Sequence, residues 1–538
     1  MNAPTDWARF CDGLWHDEGI GVSLDVSCMG IDDDWRTAAA PALAGALEAM
    51  QALESGAVAN PDEGRQVGHY WLRDPSLAPD PSLAEAITAT RDAVLEFGRR
   101  VREGELRAPG GEVFRRALVA GIGGSALGPM FVSAALGRAG NPLTAVFLDN
   151  TDPDGIALAL GHSTATVPLS QTLTVVISKS GGTAETRNAL RLVEAAYRDA
   201  GLDFGPHAVA VTGAGSALDR EAEAGQWMAR FPMWDWVGGR TSLCSAVGLL
   251  PGALEGHAMA EFLDGARAMD ALTRHSVLDE NPAALLALAW HHAGRGRGDR
   301  AMVVLPYKDR LAFAARYLQQ LVMESLGKTH DLAGRPVFQG LTVYGNKGST
   351  DQHAYIQQLR DGRDDFFATF LEVLRDREDG APDSLEVEPG VTSGDYLFGF
   401  LEGTRRALAE RGRPSLTLTL PDVSARSVGA LVALFERAVG VYAALVGVNA
   451  YHQPGVEAGK RAAAAVIALQ GRCLAVLHHA AGKSLTTEEV AHRAEGDVAT
   501  VFRLLRRLSA NGHAGVEAVG QRAPATVHWR RRGELTVT

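Results

Sequence analysis

Short apolar runs recur about every thirty residues between positions 117 and 212, and this rhythm restricts the fold more than any other feature of the sequence. The runs are Ala117–Gly121, Ala145–Asp149, Thr174–Ser178 and Ala208–Thr212. Segments rich in Ala, Leu and Glu, which favour helix, separate them. Because strands that alternate with helices build parallel sheets, the pattern predicts an α/β fold with a doubly wound parallel sheet.

The turn that follows the third run, SKSGGT from Ser178 to Thr183, is the first candidate binding site. It joins a strand to a helix N-terminus, where free backbone N–H groups and the positive end of the helix dipole face one point. Gly181 and Gly182 let the backbone approach a ligand, and the hydroxyls of Ser178, Ser180 and Thr183 add donors. We expect an anion here, most simply a phosphate. The alternative is a turn that only caps its helix.

The turn after the first run, Gly121 to Ala126, also fits the dinucleotide fingerprint G-x-G-x-x-G/A. Asp149 ends the next strand, where a ribose-binding acid would lie, so an NAD enzyme is an alternative. We expect a sugar phosphate instead, because SKSGGTAET resembles the phosphate loop of sugar isomerase (SIS) domains. A Rossmann domain has no use for a second anion cradle after its third strand.

A second unit repeats the rhythm from Asn281 onward. The predicted elements are a helix at Pro282–His292, a strand at Ala301–Leu305, a helix at Arg310–Gly327, a strand at Ser415–Leu420 and a helix at Ser424–Leu445. Gln320 and Glu324 are four residues apart and therefore on one side of their helix. An exposed polar face is the alternative for this pair. A Gly/Asn/Asp-rich turn further on could present His353 from a loop.

Composition excludes several classes of protein. A net charge of −12 leaves no overall electrostatic footprint for nucleic acid or an acidic membrane. The four cysteines form no CxxC pair and no metal-ligand spacing, so we expect a reducing cytoplasm without a disulfide framework or zinc site. We also expect no signal peptide and no membrane span. His69, Tyr70 and Trp71 are interpreted as packing residues.

Six motifs, in order along roughly residues 110 to 465, resemble the glucose-6-phosphate isomerase (phosphoglucose isomerase) family. They are GIGGSALGP, SKSGGTAET, VGGRTSLCSAVGL, QQLVMESLGK, GSTDQHAYIQQ and YHQPGVEAGK. The resemblance implies two SIS domains that interconvert glucose 6-phosphate and fructose 6-phosphate through ring opening and a cis-enediolate. It also implies that no metal or redox cofactor is needed, and a homodimer in which His353 reaches across the interface.

The resemblance assigns roles to individual residues as well. Glu324 matches the base that moves a proton between C1 and C2, and Arg240 matches the cation beside the developing oxyanion. His353 and Lys460 match the pair that opens the sugar ring. The remaining matches are expected to bind substrate, the phosphate by Ser178, Lys179, Ser180 and Thr183 and the sugar by Gly124, Ser125, Gln320 and Gln453.

Three positions depart from the family pattern. Thr241 stands where an aromatic is usual, GSTDQH replaces GTNGQH before His353, and His452 replaces a usual Asp. These departures concern substrate breadth and rate, and they leave open whether mannose 6-phosphate is also a substrate.

We expect five segments along the chain: an N-terminal helical segment (1–110), two SIS domains (111–270 and 280–450), a catalytic loop and helix (451–475) and a winged-helix-like tail (476–538). The tail shows a helix, turn and helix pattern with Gly496 in the turn, and a two-strand wing could follow. Its local excess of basic residues keeps a second class of function open, a sugar-phosphate-sensing transcription regulator. A sensor would not need Glu324, His353 and Lys460 together, so we do not expect a regulator or a nucleic acid partner. For the tail itself we expect a role in oligomerisation or as a lid.

Overall fold

The computed structural model describes residues 7–138, 140–161, 167–378, 385–521 and 523–532. The chain divides into two compact units, Met1–His452 and Gln453–Thr538. Two sheets and the helices around them build the first unit. The second unit is the smaller of the two.

The N-terminal segment contributes a strand hairpin as well as helices. Its elements are α1 (Trp7–Gly13), β1 (Leu14–Asp17), β2 (Val22–Asp25), α2 (Asp33–Glu54) and α3 (Pro81–Arg102). The sequence predicts only helices and irregular structure here, because two strands of four residues carry too little periodicity to be recognised. His69, Tyr70 and Trp71 are at most 1% exposed, which confirms their interpretation as packing residues.

The first sheet is the predicted doubly wound one. Its region contains β3 (Arg116–Ala120), α4 (Leu127–Leu136), β4 (Thr144–Leu148), α5 (Pro153–Leu160), β5 (Thr172–Ile177), α6 (Ala184–Asp199), β6 (Ala208–Thr212), α7 (Ala217–Ala224), β7 (Ala229–Pro232), α8 (Ala246–Glu255) and α9 (Met259–Leu272). The five strands are parallel in the order β4-β3-β5-β6-β7. Every residue of β3, β5 and β6 is buried, which explains why these strands read as continuous apolar runs.

The second sheet is mixed at one edge. Its region contains α10 (Pro282–Ala293), β8 (Ala301–Pro306), α11 (Ala314–Leu318), β9 (Lys328–His330), β10 (Pro336–Gln339), β11 (Val343–Tyr344), α12 (Ile356–Asp361), β12 (Phe366–Val373), β13 (Glu386–Glu388), β14 (Val391–Thr392), α13 (Ser393–Ala409), β15 (Ser415–Leu420) and α14 (Ala425–Leu445). The order is β1-β2-β15-β12-β8-β11, with β11, β8, β12 and β15 parallel. The N-terminal hairpin extends this sheet, because β2 pairs antiparallel with β15.

Two described helices are long and apolar enough to cross a membrane by length and composition alone. Ala425–Leu445 is 89% buried within the first unit, and core helices of this kind pass the same test. Gly459–His479 has a lower mean hydropathy and is 17% buried. One or two such helices are weak grounds for a membrane span, so the prediction of none stays a prediction.

The second unit has the arrangement of a winged helix. It contains α15 (Pro454–His479), β16 (Leu485–Thr486), α16 (Thr487–Ala494), α17 (Val498–Ala510), β17 (Val516–Val519) and β18 (His528–Arg531). Strand β18 pairs antiparallel with both β16 and β17. Helix α15 supplies Leu469, Cys473 and Leu477 to the same apolar core as Leu505 and Trp529. The helix therefore runs through the boundary expected between residues 475 and 476.

Candidate active site

The strand order of the first sheet creates a crevice at its carboxyl edge. Strands β3 and β5 are neighbours, and the chain leaves them in opposite directions across the sheet, to β4 on one side and β6 on the other. In open α/β sheets ligands bind where the strand order reverses in this way. The turns that follow these two strands are the glycine-rich and hydroxyl-rich ones identified in the sequence.

The hydroxyl-rich turn after β5 is braced by its own side chains. Ser178 Oγ accepts a hydrogen bond from the N–H of Gly181 and Ser180 Oγ accepts one from Gly182, both at 3.1 Å. Gly181 has φ +72°, and a Cβ there would lie 2.4 Å from the backbone nitrogen of Leu218. Glycine is therefore required at this position both by conformation and by space. Each serine keeps its own O–H for an anion.

Thr183 stands at the N-cap of α6 but its side chain makes no capping hydrogen bond. The first N–H groups of the helix consequently lack the usual side-chain acceptor. A helix start of this kind offers both backbone donors and a hydroxyl to a bound anion.

Lys179 connects the SKSGGT turn to the segment that leads to Arg240. Its ammonium donates to the carbonyl oxygens of Asp235 at 2.8 Å and Val237 at 3.2 Å. Burial lowers the pKa of Lys179, and the nearby positive charge of Arg65 lowers it further. The structure thus gives Lys179 a bracing role in addition to the phosphate contact predicted for it.

The turn that carries Arg240 packs directly on the glycine-rich turn after β3. A Cβ on Gly124 would lie 2.0 Å from the carbonyl oxygen of Gly239, so only glycine permits this approach. Ser242 Oγ donates to the carbonyl of Gly239 at 2.7 Å and approaches that of Gly124 at 3.4 Å. Ser125 lies in the same turn as Gly124, and both are half-buried.

Arg240, which is buried, and Glu324, which is half-buried, form an ion pair beside these turns. Arg240 Nε lies 3.7 Å from Glu324 Oε2, and their side chains are 5% and 19% exposed. Arg240 Nη1 donates to the carbonyl of Ala450 at 3.0 Å, and Nη2 donates to that of His452 at 3.3 Å. Burial lowers the pKa of Arg240, whereas the carboxylates of Glu324 and Glu63 act in the opposite direction. A guanidinium held in this way is a fixed positive charge.

Glu324 is presented by a π-helical turn, Gln319–Glu324, which directly follows α11. The sequence predicts one continuous α-helix over Arg310–Gly327, and this prediction is wrong in detail. Because a π-turn bonds residue i to i+5, the α-helical spacing used to place Gln320 and Glu324 on one side does not apply. The structure still directs Gln320 toward the first turn, since its Nε2 lies 3.1 Å from the position of a Cβ on Gly123. Single π-turns are common at functional sites.

Charged residues from the N-terminal segment also reach this site, and sequence reasoning missed them. A cavity of about 40 Å³ is bordered by Asn60, Glu63 and Arg65 together with Lys179 and Arg240. The segment between Asn60 and Arg65 reads NPDEGR, a charged turn that could have drawn attention. This segment lies more than a hundred residues before Lys179 in the chain, so nothing in the sequence indicates that the two meet in the folded protein.

His353 lies in a short 3-10 turn, Thr350–His353, preceded by Ser349 with φ +66°. Buried Asp351 organises the loop, because its carboxylate accepts hydrogen bonds from the backbone and side chain of Asn346 and from the hydroxyl of Tyr355. The His353 side chain itself is exposed. Among the described residues it forms no hydrogen bond or ion pair with Glu324 or Arg240.

Gln453 and Lys460 belong to the second unit, at the start of α15 and within it. Both side chains are exposed. The first unit by itself therefore brings together Arg240, Glu324, Gln320 and the turns after β3 and β5. The parts predicted for Gln453, Lys460 and His353 stay predictions.

A protein-family model described as phosphoglucose isomerase matches residues 32–384 and 406–485. The chain belongs to the phosphoglucose isomerase family. A protein of Geobacter sulfurreducens named glucose-6-phosphate isomerase is 60% identical over 517 residues, which cover 96% of this chain and 97% of the relative. One of the same name from Synechococcus sp. (strain JA-3-3Ab) is 56% identical over 94% of this chain and 95% of that protein.

Solved structures agree with the family. The crystal structure of a glucose-6-phosphate isomerase from Chlamydia trachomatis superposes with a TM-score of 0.76 at 28% identity, covering 86% of this chain and 91% of that one. The fold predicted from the sequence, with its two SIS-type sheets, is thereby confirmed.

Most of the tail lies outside the match to the phosphoglucose isomerase family model. The family model ends at residue 485, so α16, α17 and the wing lie beyond it. The 96% coverage by the Geobacter sulfurreducens relative nevertheless includes most of the tail. Possession of the tail therefore does not separate this chain from relatives named as isomerases.

Proposed function

We propose that this protein interconverts glucose 6-phosphate and fructose 6-phosphate, with Glu324 as the base. The observation that carries the proposal is the Arg240–Glu324 ion pair, 3.7 Å apart, beside the SKSGGT turn at the sheet switch point. Family membership and the names of the relatives support the same reaction.

The chemistry needs one base that reaches two neighbouring carbons. Moving the carbonyl from C1 to C2 removes a proton from one carbon and returns it to the other, so a single carboxylate between them suffices. Negative charge then develops on the enediolate oxygens. Arg240 supplies a positive charge that is already oriented by the carbonyls of Ala450 and His452, so little reorganisation is needed when the charge appears.

Substrate orientation is assigned to the two turns of the first sheet. The phosphate would accept hydrogen bonds from Ser178, Ser180, Thr183 and the first N–H groups of α6, with the charge of Lys179 close by. Gly124, Ser125 and Gln320 would line the sugar on the other side. The overall oxidation state of the substrate does not change, so the proposal includes no redox cofactor.

Ring opening is assigned to His353 and Lys460, with Gln453 beside the sugar, on the family resemblance alone. We further propose a homodimer in which each subunit receives His353 from the other. The exposed His353 side chain on a loop held by Asp351 supports this arrangement. A cytoplasmic location forms part of the same proposal, as does an oligomerisation or lid role for the tail.

Solvent exchange tests the reaction. Purified protein is incubated with fructose 6-phosphate in deuterated water, and glucose 6-phosphate is examined for label at C2. Isomerisation with label supports a proton-transfer route through an enediolate. Isomerisation without any label under slow turnover would point to direct hydride transfer, and no turnover would overturn the proposed function. A parallel sample with mannose 6-phosphate tests whether this sugar phosphate is also a substrate, a question that Thr241 leaves open.

A further inference from the structure

Lys328 contacts the backbone of the candidate base Glu324 and has no role in the proposed mechanism. It is the first residue of β9 and follows the π-turn by four residues. Its side chain is largely enclosed, since the residue is only 6% exposed. The ammonium donates to the backbone carbonyl oxygen of Glu324 at 2.8 Å.

The position of this bond matters because the π-turn ends at Glu324. The last carbonyl groups of a helical segment accept no hydrogen bond from an N–H group within the helix. A cation there can donate to them and interacts favourably with the helix dipole. A charged donor makes a stronger hydrogen bond than a neutral one. Lys328 thus fixes the residue whose carboxylate must stand between two carbons of the substrate.

The charged groups that face Lys328 come from several elements. Arg240 repels its positive charge, whereas the carboxylates of Glu324 and Asp62 attract it. His452, which lies 3.6 Å from Asp62 through Nε2, also senses the Lys328 charge. Burial is the largest influence and, together with Arg240, lowers the pKa of Lys328 to about 8.

We propose that Lys328 is a positioning residue for isomerisation, in which its ammonium holds the end of the π-turn so that the Glu324 carboxylate faces Arg240. This inference rests on the proposed function and deepens it. The sign of the pH dependence follows directly. Below its pKa the lysine is charged and the bond is charge-assisted; above it the amine is neutral and the support weakens, so kcat falls on the alkaline side.

The second sheet offers a matched control. Lys308 also caps backbone carbonyls with its ammonium, those of Arg375 at 2.8 Å and Asp376 at 2.6 Å, and burial lowers its pKa as well. It takes no part in the proposed site. Variants at Lys308 and Lys328 therefore make the same chemical change at two lysines that both donate to backbone carbonyls, of which only Lys328 contacts Glu324.

The test measures kcat and KM against pH for the full-length wild type and for Lys328→Met, Lys328→Arg, Lys308→Met and Lys308→Arg. For Lys328→Met we expect kcat to fall roughly tenfold or more, the loss of one charged hydrogen bond, with KM changed only slightly. For Lys328→Arg we expect partial rescue of kcat and an alkaline limb moved up by about one pH unit or more, because arginine keeps its charge. The Lys308 variants should retain the wild-type kcat profile.

A substitution at a more exposed residue tests the inference if the Lys328 variants do not fold. Asp62 is more than half exposed, so Asp62→Asn should leave the fold intact. Loss of this attracting charge should move the alkaline limb of kcat to lower pH. The inference would be overturned if the alkaline limb of kcat were unchanged in both Asp62→Asn and Lys328→Arg. It would also be overturned if the Lys328 variants raised KM without any change in kcat. A wild-type protein that does not isomerise fructose 6-phosphate at all would instead overturn the proposed function beneath it.

Discussion

The two sheets of the first unit share the same order of parallel strands around a switch point, but they carry different side chains at their carboxyl edges. In the first sheet the switch point lies between β3 and β5, and in the second it lies between β8 and β12. We call the two places the first crevice, bordered by Gly121–Ala126 and Ser178–Thr183, and the second crevice, bordered by Tyr307, Glu372 and Phe398. Topology alone would allow a ligand in either.

The side chains decide between the two crevices. The first presents glycines, hydroxyls and the uncapped start of α6, which together suit an anion. The second is a cavity of about 220 Å³ whose border includes the carboxylates of Glu372, Asp376 and Asp395. Clustered negative charge repels a phosphate. A shared fold therefore sets where a site can form, and the loops determine whether it binds the substrate.

The second sheet contributes to the first crevice in another way. The segment after β8 runs through α11 into the π-turn that carries Gln320 and Glu324. One sheet would thus supply the phosphate-binding turn and the other the base. Substitutions in the two crevices should therefore have different effects on turnover.

Glu324→Gln should abolish most turnover while binding survives. Glutamine keeps the shape of the side chain and removes its basicity, and loss of a general base lowers rates by about 10²–10⁴-fold. We expect kcat to fall at least about a hundredfold, with a five-carbon sugar acid phosphate bound within about tenfold of the wild type. Steady-state kinetics and calorimetry measure the two quantities.

The control for this variant is Glu372→Gln in the second crevice, where Glu372 accepts a hydrogen bond from Thr419. It should leave kcat unchanged. Near-normal kcat in folded Glu324→Gln, or a large loss in Glu372→Gln, would reverse the roles given to the two crevices.

Thr183→Val should raise KM for fructose 6-phosphate. The hydroxyl makes no capping bond in the structure, so its loss should affect the bound anion rather than the helix. One hydrogen bond to a charged group corresponds to about 1.5–3 kcal/mol, or roughly ten- to a hundredfold in KM. Thermal stability should hardly change.

Thr392 provides the opposite case beside the second crevice. Its hydroxyl accepts a bond from the N–H of Asp395 and completes a capping box at α13. Thr392→Val should therefore cost about 1 kcal/mol of stability and leave KM alone. Should both variants behave alike, Thr183 would be a structural cap and the anion site would lie elsewhere.

A smaller effect is expected from pH on substrate affinity. Because burial lowers the pKa of Lys179, its ammonium loses the proton at a lower pH than an ordinary lysine. The positive charge near the phosphate is present below that pKa and disappears above it, so KM should rise as the solution becomes alkaline. Lys179→Arg should flatten this rise, and KM that is independent of pH in the wild type would exclude Lys179 from phosphate binding.

Deletion of residues 481–538 should have the smallest effect on chemistry, since all residues of the proposed site precede it. The cut follows α15 and spares Lys460, but it exposes Leu469 and Leu477, so lower solubility is expected. The measurements are fructose 6-phosphate turnover and oligomeric state. A folded dimer without any turnover would mean that the winged helix completes the site.

Local patterns in the sequence were sufficient for the strands of the first sheet and for the position of the SKSGGT turn between a strand and a helix start. In β5 and the SKSGGT turn, the apolar run, the glycines and the helix start act within a dozen residues of one another, so the sequence carries the whole signal. The helix, turn and helix of the tail are readable for the same reason. The roles of Glu324, Arg240, His353 and Lys460 came from family resemblance, not from such patterns.

Tertiary structure decided the features that depend on partners far along the chain. The hairpin β1–β2 became part of the second sheet through pairing with β15, about four hundred residues later. The π-turn at Glu324, the approach of Glu63 and Lys328 to Arg240, and that of Asp62 to Lys328 depend on packing against distant elements. Sequence periodicity records which face of a segment is buried, but not what it is buried against. The electrostatic environment of the candidate base therefore became visible only in the folded chain.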